Sequence, residues 1–477
     1  MRLTRKGMIG ILVTSFYVMG IIMAMHAALT TRTSTGAVAW TVSLVTMPFV
    51  AVPAYAVFGR NQFEGMAEAF EERADEVDHV LDGYGQELAP WRVPTSQAPS
   101  WYNAVIRLAE FSLVKGNAVE LLVDGEATFD SILEGIAGAE RYVLFQFYMI
   151  HDDGLGRRVK DALAERARAG VKVMVLYDEV GSSGLPDEYL ADMRAAGIKV
   201  SSFKPNQGWR NRFQLNFRNH RKMVVVDGRE AWVGGHNVGD EYLGLDPDLS
   251  PWRDTHVKIT GPAATQVQLT ILSDWYWATR EIPDLEWAPT PAPDADQQVM
   301  IFPTAPTGHL EKASLFFVSA LSAARERIWL SAPYFVPDEA VMKALQLAAL
   351  RGVDVRIITT GKGDSLPVYL AAFHYIEELR GLGIRFYAYR PGLLHEKVML
   401  IDDHVSSVGT HNFDNRSFRL NFEVAAVIVD EEFATQMEAM FERDFDHAEP
   451  IDPDSLEDRP LWWRLGVKLS RLASPVL

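Results

Sequence analysis

The chain has 477 residues, no cysteine and a formal net charge of −17 at pH 7. A single hydrophobic core stops growing at about 250–300 residues, so this length predicts at least two domains. The lack of cysteine excludes disulfides and thiolate metal sites and fits a reducing compartment, while the acidic balance argues against a nucleic-acid partner.

Two apolar segments near the amino terminus predict a membrane-embedded hairpin within residues 1–60. Residues 7–29 and 37–58 are each long enough to cross a bilayer core of about 30 Å at about 1.5 Å per residue. By the positive-inside rule, both ends of this hairpin lie in the cytoplasm, because basic residues flank it: Arg2, Arg5, Lys6 and Arg60. Pro48 and Pro53 indicate that the second segment is kinked or only partly inserted. A cleaved signal peptide is the alternative interpretation of the first segment.

Residues 61–116 form an acidic connector, in which carboxylates outnumber basic side chains. Spacings of three and four residues predict a solvated helix that leads into a looser stretch containing proline. The connector is either a plain linker or a spacer that holds the folded part at a set distance from anionic headgroups.

An internal repeat relates residues 117–282 to residues 299–450, and a linker rich in Pro, Ala and Asp at residues 283–298 joins them. The stretch 140–149, ERYVLFQFYM, matches the stretch 326–335, ERIWLSAPYF. In both copies β-rich runs alternate with helical patterns. This predicts an α/β fold of two pseudo-symmetric halves, each a mixed β-sheet flanked by helices.

Each half carries a His-x-Lys motif with an aspartate five residues after the lysine. The two copies are His220, Lys222 and Asp227, and His395, Lys397 and Asp402. A glycine-led pair and an asparagine follow each copy at the same spacing: Gly234, Gly235 and Asn237, and Gly409, Thr410 and Asn412. Two such detailed copies are hard to obtain by chance, and two facing halves would bring them into one cleft.

The residue types in this pattern suit phosphodiester chemistry. The apolar runs 223–226 and 398–401 predict buried strands, and residues two apart on a strand share a face, so each His and Lys should project together. Imidazole can act as nucleophile or proton donor near neutral pH, and an ammonium can stabilise charge on phosphate oxygens. The asparagines would add donors, and the glycines would let the backbone approach the phosphate. Asp227 and Asp402 more readily hold the motif together than touch substrate.

The paired motif resembles that of the phospholipase D superfamily, and further stretches resemble bacterial cardiolipin synthases over nearly the whole chain. These stretches are residues 58–60, 234–244, 251–256, 333–338 and 416–423. Thr410 departs slightly from the pattern, where glycine or serine is usual. The resemblance implies two phospholipase D-like halves in a multi-pass protein of the bacterial cell membrane, with a cytoplasmic catalytic domain. It also implies that two phosphatidylglycerol molecules are converted into cardiolipin and glycerol without a metal or other cofactor.

Roles for individual residues follow from the same resemblance. His220 is implied as the nucleophile that forms a phosphohistidine, and His395 as the acid and base, although the near symmetry of the motifs leaves the reverse assignment open. Asp254 and Glu423 stand where the family places the carboxylates that orient these histidines. An ordinary ion pair with a neighbouring arginine is the alternative role for both.

Two further stretches are candidates for lipid contact. Residues 209–218, which end at Arg218, are basic and aromatic within an acidic chain, and they either grip headgroups at the cleft mouth or form a structural loop. The tail at residues 451–477 is amphipathic, with Arg464, Lys468 and Arg471 opposite its apolar residues. It suits either an interfacial helix or a helix docked on the enzyme's own core.

Three other functions are alternatives to the synthase. A phospholipase D that hydrolyses phospholipid to phosphatidic acid would use the same residues with water as acceptor. A phosphodiester nuclease shares the motif but fits the acidic charge and membrane segments poorly, and a silent membrane scaffold would be expected to have lost motif residues. The oligomeric state stays open, because one chain contains both motifs.

Overall fold

The computed structural model describes residues 5–60, 62–72, 74–96, 101–204, 216–361, 363, 365–452 and 459–474. Its α-helices are α1 Arg5–Thr30, α2 Ser34–Thr46, α3 Pro48–Phe58, α4 Met66–Glu71, α5 Ala74–Leu88, α6 Tyr102–Ala109, α7 Asp124–Gly138, α8 Gly154–Arg168, α9 Asp187–Ala195, α10 Ala263–Thr279, α11 Lys312–Ala323, α12 Glu339–Leu350, α13 Leu366–Glu378, α14 Asn415–Arg419, α15 Glu431–Asp446 and α16 Leu461–Arg471. Its strands are β1 Val114–Val123, β2 Tyr142–Phe147, β3 Lys172–Asp178, β4 Lys199–Phe203, β5 Arg218–Asn219, β6 Met223–Val226, β7 Glu230–Gly234, β8 Trp252–Arg253, β9 Thr255–Thr260, β10 Gln297–Thr304, β11 Arg327–Ser331, β12 Phe335–Val336, β13 Asp354–Thr360, β14 Arg385–Tyr389, β15 Leu393–Leu394, β16 Val398–Ile401, β17 Val405–Gly409, β18 Phe413–Asp414, β19 Asn421–Val429 and β20 Ala448–Pro450.

One sixteen-stranded sheet runs through both halves. Its centre is the antiparallel pair of β1 and β10, which joins the halves. Outward from β1 the first half continues with β9, β7, β6, β2, β3 and β4, and outward from β10 the second half continues with β19, β17, β16, β11, β13, β14 and β20. Six strands thus follow in corresponding order on both sides, which confirms the predicted duplicated α/β fold.

Three large apolar clusters hold this architecture together. One lies under α7, α8 and α9 in the first half, and a second lies under α11, α12 and α13 in the second half. The third contains residues of both halves, with α10 and α15 packed against the central strands. Because the central cluster is shared, the halves form one core instead of two bodies on a flexible linker.

One face of the acidic connector is part of this core. Its helices α4 and α5 bury the side chains of Met66, Tyr84 and Leu88 in the shared cluster, together with Phe63 just before α4. The acidic side chains therefore occupy only the outer, solvated face of the connector, as expected for an amphipathic helix.

The amino-terminal apolar region consists of one long helix and two short ones. α1 has 26 residues and is, within the described part of the chain, the helix long and apolar enough to cross a membrane. The second predicted span is divided at Met47, where the backbone leaves the helical region, and Pro48 begins α3. Proline cannot donate to the preceding turn, so the predicted kink lies at this residue, while Pro53 is accommodated inside α3.

After Met47 the chain turns back toward the side from which α2 came. The Phe49 ring lies 5.2 Å from that of Phe16, near the middle of α1, whereas the Tyr55 hydroxyl lies 2.8 Å from Nδ1 of His26, near the end of α1 from which α2 follows. At about 1.5 Å per residue α2 and α3 are only roughly 20 Å and 17 Å long, well short of a bilayer core of about 30 Å. The two helices therefore form a re-entrant hairpin beside α1.

Both ends of the α2–α3 hairpin contact the same loop of the folded body. Arg32, before α2, donates to the Gly308 carbonyl at 2.5 Å and lies 3.7 Å from the Glu311 carboxylate. Gln62, after α3, donates to the same Gly308 carbonyl at 3.4 Å. Of the two crossings predicted from residues 7–29 and 37–58, only the first coincides with a helix of membrane-spanning length among the described residues, because apolar length alone did not specify the direction of the chain.

Single cysteines at Ser34 and Gln62 should react with a membrane-impermeant maleimide from the same side of the membrane. The chain has no native cysteine, so each variant carries one thiol and the unaltered chain gives the background. Labelling would be compared in intact and permeabilised spheroplasts. Reaction of the two sites from opposite sides would contradict the hairpin and restore the second crossing.

Candidate active site

The two motif histidines lie where short strands of the two halves pair with each other. β5 ends immediately before His220 and pairs in parallel with the start of β19, which leads into Glu423. β15 ends immediately before His395 and pairs in parallel with β8, which ends immediately before Asp254. The register of these pairs sets His220 opposite Glu423 and His395 opposite Asp254.

Each histidine is therefore oriented by a carboxylate from the other half. The Nδ1 atom of His220 lies 2.9 Å from Glu423 Oε2, and that of His395 lies 2.7 Å from Asp254 Oδ2. A carboxylate at Nδ1 fixes the tautomer and leaves Nε2 to react with substrate. The sequence predicted these two carboxylates but not their exchange between the halves.

The electrostatics of the site favour neutral imidazoles beside ionised carboxylates. Burial lowers the pKa of His220 and of His395 to about 4, against the raising effect of their carboxylates. Burial alone would raise the pKa of Glu423, but the charge and hydrogen bond of His220 bring it down to about 2. The pKa of Asp254 is lowered in the same way, mainly by Lys397 against its own burial. At neutral pH, Nδ1 of each histidine can thus donate to its carboxylate.

The motif lysines lie within the same cluster. Lys222 is fully buried, donates to the His220 carbonyl at 2.6 Å and lies 5.3 Å from the centre of the Tyr148 ring. Lys397 donates to the His395 carbonyl, and its Nζ lies 2.9 Å from His395 Nδ1. The charge of Lys397 helps to lower the pKa of His220, and that of Lys222 helps to lower the pKa of His395. The two motifs therefore share one electrostatic site.

The predicted strands are present, but the histidines and lysines precede them. The apolar runs form β6 and β16, which begin one residue after Lys222 and Lys397. The expectation that His and Lys share the face of a strand was therefore wrong in its detail. Each lysine instead reaches back to the backbone carbonyl of its own histidine.

The motif aspartates hold the far ends of these strands. Asp227 accepts three backbone N–H groups, those of residues 140–142, each at 2.8 Å. Asp402 accepts those of residues 325–327 at 3.1, 2.8 and 3.1 Å. Both aspartates have positive φ, 54° and 52°, where the chain turns out of the strand. These hydrogen bonds join the ends of neighbouring strands at a distance from the cleft.

The glycines of the first half allow close packing between protein groups. A side chain at Gly235 would place its Cβ 2.0 Å from Asp254 Oδ1, and one at Gly234 would place it 2.4 Å from the His256 ring. These glycines therefore make room for the catalytic carboxylate and its neighbour. The predicted approach of their backbone to a phosphate stays a prediction.

The corresponding residues of the second half contact the adjacent strand, β19. A Cβ at Gly409 would lie 2.4 Å from the Val424 carbonyl. Thr410 is fully buried, and its hydroxyl accepts the Val424 N–H at 2.9 Å. The departure at Thr410 is thus accommodated by a side-chain bond to β19, one residue from Glu423.

The two predicted asparagines have different surroundings. Asn237 is buried and its amide is used by the protein, since it donates to the Tyr242 hydroxyl at 2.7 Å and accepts from the Met149 N–H at 3.2 Å. Asn412 is half-buried, and its Oδ1 has no hydrogen-bond partner among the described residues. Of the two, Asn412 is the better candidate for contact with a hydroxyl of the substrate.

Two further histidines were missed in the sequence. His236 and His411 each stand immediately before the motif asparagine. His236 Nδ1 lies 3.0 Å from His256 Nδ1, and His411 Nε2 lies 3.0 Å from the Thr304 hydroxyl. Comparing the repeats at one more position would have found this pair.

Two buried arginines, also missed, hold the halves in register. Arg221 donates to both oxygens of Asp274 at 2.7 and 2.8 Å and reaches the Thr304 carbonyl of the second half at 2.9 Å. Arg253 makes a bidentate pair with Asp444 of the second half, with both bonds at 2.8 Å. Since these arginines are satisfied by other carboxylates, Asp254 and Glu423 remain available to the histidines.

The rim of the cleft adjoins the end of the membrane hairpin. Arg218 lies in β5, two residues before His220, while residues 209–215 of the basic insertion lie outside the described residues. Arg416, on α14, donates to the Asn216 carbonyl at 2.8 Å, and the Asn216 amide donates to the Phe58 carbonyl at 3.3 Å. The end of α3 is therefore linked through Asn216 to the segment that leads into His220.

Comparisons with known proteins show the family to which the chain belongs. A family model described as "Cardiolipin synthase, PLD-like domain" matches residues 132–267 and 317–445. The chain is 45% identical over 473 residues to cardiolipin synthase A of Pseudomonas fluorescens, with 98% of each chain covered. It is 44% identical over 466 residues to cardiolipin synthase A of Pseudomonas putida, with 97% of each covered. The chain belongs to the cardiolipin synthase family.

Solved structures support the family's fold. Phosphatidylserine synthase of Haemophilus influenzae superposes with a TM-score of 0.60 at 14% identity, covering 80% of this chain and 100% of the other. Polyphosphate kinase of Porphyromonas gingivalis superposes with a TM-score of 0.50 at 14% identity, covering 75% and 51%. At these identities the likeness concerns the fold alone. Together with the family match, it makes the chain a phospholipid-modifying enzyme of the phospholipase D-like type.

Replacing either exchanged carboxylate by its amide should lower kcat by about 10²–10⁴-fold, because an amide can hold the imidazole in the wrong tautomer. The variants are Glu423→Gln and Asp254→Asn, measured by product formation from phospholipid substrate. The exposed Glu188→Gln is the matched control, and thermal unfolding checks that the variants fold. Near-normal turnover in either amide variant would exclude the orienting role.

The free energy of unfolding should fall as the pH is lowered from about 6.5 to 4. Burial lowers the pKa of five histidines in and around the site: His220, His236, His256, His395 and His411. The unfolded chain therefore binds more protons than the folded one in this range, so stability rises with pH there. Burial raises the pKa of Glu396 to about 8 and that of Asp414 to about 6. These two carboxyl groups bind protons in the folded state and so oppose the loss of stability, but they are fewer than the five histidines. An unfolding midpoint in detergent that does not change with pH would contradict this balance.

Proposed function

We propose that the cleft transfers a phosphatidyl group from one phosphatidylglycerol molecule to another, giving cardiolipin and glycerol. The observation that carries this proposal is the pair of exchanged His–carboxylate contacts, which gives one cleft two oriented imidazoles. The relatives named cardiolipin synthase A support it, because they match over 97–98% of the chain.

In the first step, Nε2 of His220 attacks the phosphorus of the donor lipid. An N–P bond forms, and the P–O bond to the glycerol headgroup breaks. His395 gives its proton to the departing glycerol oxygen. The anionic phosphodiester raises the pKa of His395 above its value in the empty cleft, so that it can be protonated when donor is bound. Lys222 and Lys397 stabilise the charge that develops on the phosphoryl oxygens.

In the second step, the neutral His395 takes the proton from the primary hydroxyl of a second phosphatidylglycerol. The oxygen of that hydroxyl attacks phosphorus, the N–P bond breaks, and cardiolipin leaves with His220 restored. One phosphodiester bond replaces another, so this cycle consumes no nucleotide. The unsatisfied oxygen of Asn412 is a candidate acceptor for a glycerol hydroxyl.

Water in place of the second lipid would make the enzyme a phospholipase D that releases phosphatidic acid. The position of the rim favours the synthase, because Arg416 and Asn216 connect it to Phe58 at the end of the membrane hairpin. A second lipid can enter there without leaving the bilayer.

We also propose that the protein resides in the bacterial cell membrane with its catalytic body on the cytoplasmic side. With α1 as a single crossing, the basic residues before α1 and the catalytic body lie on opposite sides of the membrane, so the proposed side does not rest on the positive-inside rule. The lack of cysteine supports the cytoplasmic position, since it fits a reducing compartment. The maleimide experiment on Ser34 and Gln62 also tests this orientation.

Purified protein in mixed micelles of phosphatidylglycerol, without added metal or nucleotide, should form cardiolipin and an equal amount of glycerol. His220→Ala and His395→Ala should each abolish turnover, because each removes one of the two oriented imidazoles, and the exposed His79→Ala is the matched control. Mass spectrometry would follow the lipids and search for a phosphatidyl adduct at His220. Phosphatidic acid as the sole product would make the enzyme a hydrolase, and activity in either active-site variant would contradict the paired mechanism.

A further inference from the structure

The carboxy-terminal helix α16 docks on the second half through one of its faces. The Trp463 ring lies 5.0 Å from the Phe373 ring of α13, and Val467 is only 4% exposed. Lys468 adds an ion pair with Glu377 of α13 at 3.0 Å. The sequence left two roles open for the tail, an interfacial helix or a helix docked on the core. In the structure the tail forms a docked helix.

Another face of α16 remains exposed and apolar. Its side chains are Leu461, Trp462, Leu465, Leu469 and Leu472, which are 70%, 72%, 53%, 65% and 75% exposed. Residues three and four apart lie on one side of a helix, so these five form a continuous stripe. Soluble proteins seldom leave large apolar side chains together in water, and such a patch marks an interaction surface.

Basic side chains border this stripe. At about 100° per residue, Arg464, Lys468 and Arg471 fall between the docked face and the apolar stripe. No acidic residue occurs from position 459 to the end of the chain, although the whole protein carries a net charge of −17. An apolar stripe beside a row of cations suits the interface of a bilayer with anionic headgroups.

The end of α16 lies on the side of the body that carries the membrane hairpin. The charges of both Arg471 and Arg419 act on Tyr375 of α13, which places the three side chains near one another. Arg419 lies 3.1 Å from Glu311, the same carboxylate that is 3.7 Å from Arg32 at the start of the α2–α3 hairpin. The end of α16 is thus connected to the anchor through charge interactions at Tyr375 and through the ion pairs of Glu311 with Arg419 and Arg32.

We propose that the exposed stripe of α16 lies in the headgroup region of an anionic bilayer and forms a second membrane contact beside α1–α3. Two contacts restrict rotation of the catalytic body about its anchor. They keep the rim of the cleft, next to Phe58, turned toward the lipid surface. This surface is independent of the reaction in the cleft, so the proposal rests on the proposed residence in the membrane and not on the proposed reaction.

The test uses full-length protein with single cysteines, which is possible because the chain has none of its own. Leu465→Cys and Leu469→Cys place a polarity-sensitive maleimide dye on the stripe. Leu350→Cys is the matched control. Leu350 is 71% exposed and is the last residue of α12, at the ends of the strands that lie away from the cleft. The proteins are reconstituted in vesicles of equal phosphatidylglycerol and phosphatidylcholine, with or without doxyl-labelled phospholipid.

We expect dyes at residues 465 and 469 to emit at shorter wavelength and to lose about half of their emission to the doxyl lipid, as interfacial insertion requires. The dye at residue 350 should show neither change. Combining Leu465→Cys with Arg464→Gln and Arg471→Gln should weaken the quenching. Equal behaviour of the three sites would overturn the proposal. A dye on the stripe that is shielded from water but not quenched by lipid would also overturn it, because a protein surface, such as a second copy of the chain, would then cover the stripe.

Discussion

The active site depends on the exchange of carboxylates between the two halves. His220 is oriented by Glu423 and His395 by Asp254, at 2.9 and 2.7 Å, so neither half holds a complete catalytic unit. The exchange follows from parallel pairing of short strands, β5 with β19 and β15 with β8, directly before these four residues. An error of one residue in either pairing would turn the side chains to the opposite face and separate histidine from carboxylate.

The remainder of the architecture keeps this register. The β1–β10 pair makes one sheet of both halves, and the buried arginines Arg221 and Arg253 bind carbonyl or carboxylate groups across the interface. A buried ion pair contributes little net stability but is costly to break, so it is well suited to fixing the relative position of two halves. Asp227 and Asp402 hold the outer strand ends, away from the chemistry.

Much of the fold and site could be predicted because the chain repeats itself. The duplicated motifs predicted the two-half α/β fold and the histidines and lysines that the structure brings together, and the resemblance supplied the carboxylates that lie beside them, Asp254 and Glu423. The exchange could not be predicted, because it depends on which strands pair in three dimensions. The close packing at the glycines could not be predicted, since their neighbours, such as Asp254 beside Gly235, are distant in sequence. The return of α3 beside α1 could not be predicted either, because apolar length does not specify direction.

The most direct test of the exchange is the rate at which phosphohistidine forms at His220 from a phosphatidyl donor with a p-nitrophenol leaving group. Such a leaving group needs no proton, so only the nucleophile and its carboxylate limit this step. We expect Glu423→Gln to slow formation of the adduct far more than Asp254→Asn does. Equal slowing, or the opposite order with the adduct still at His220, would contradict the exchanged pairing.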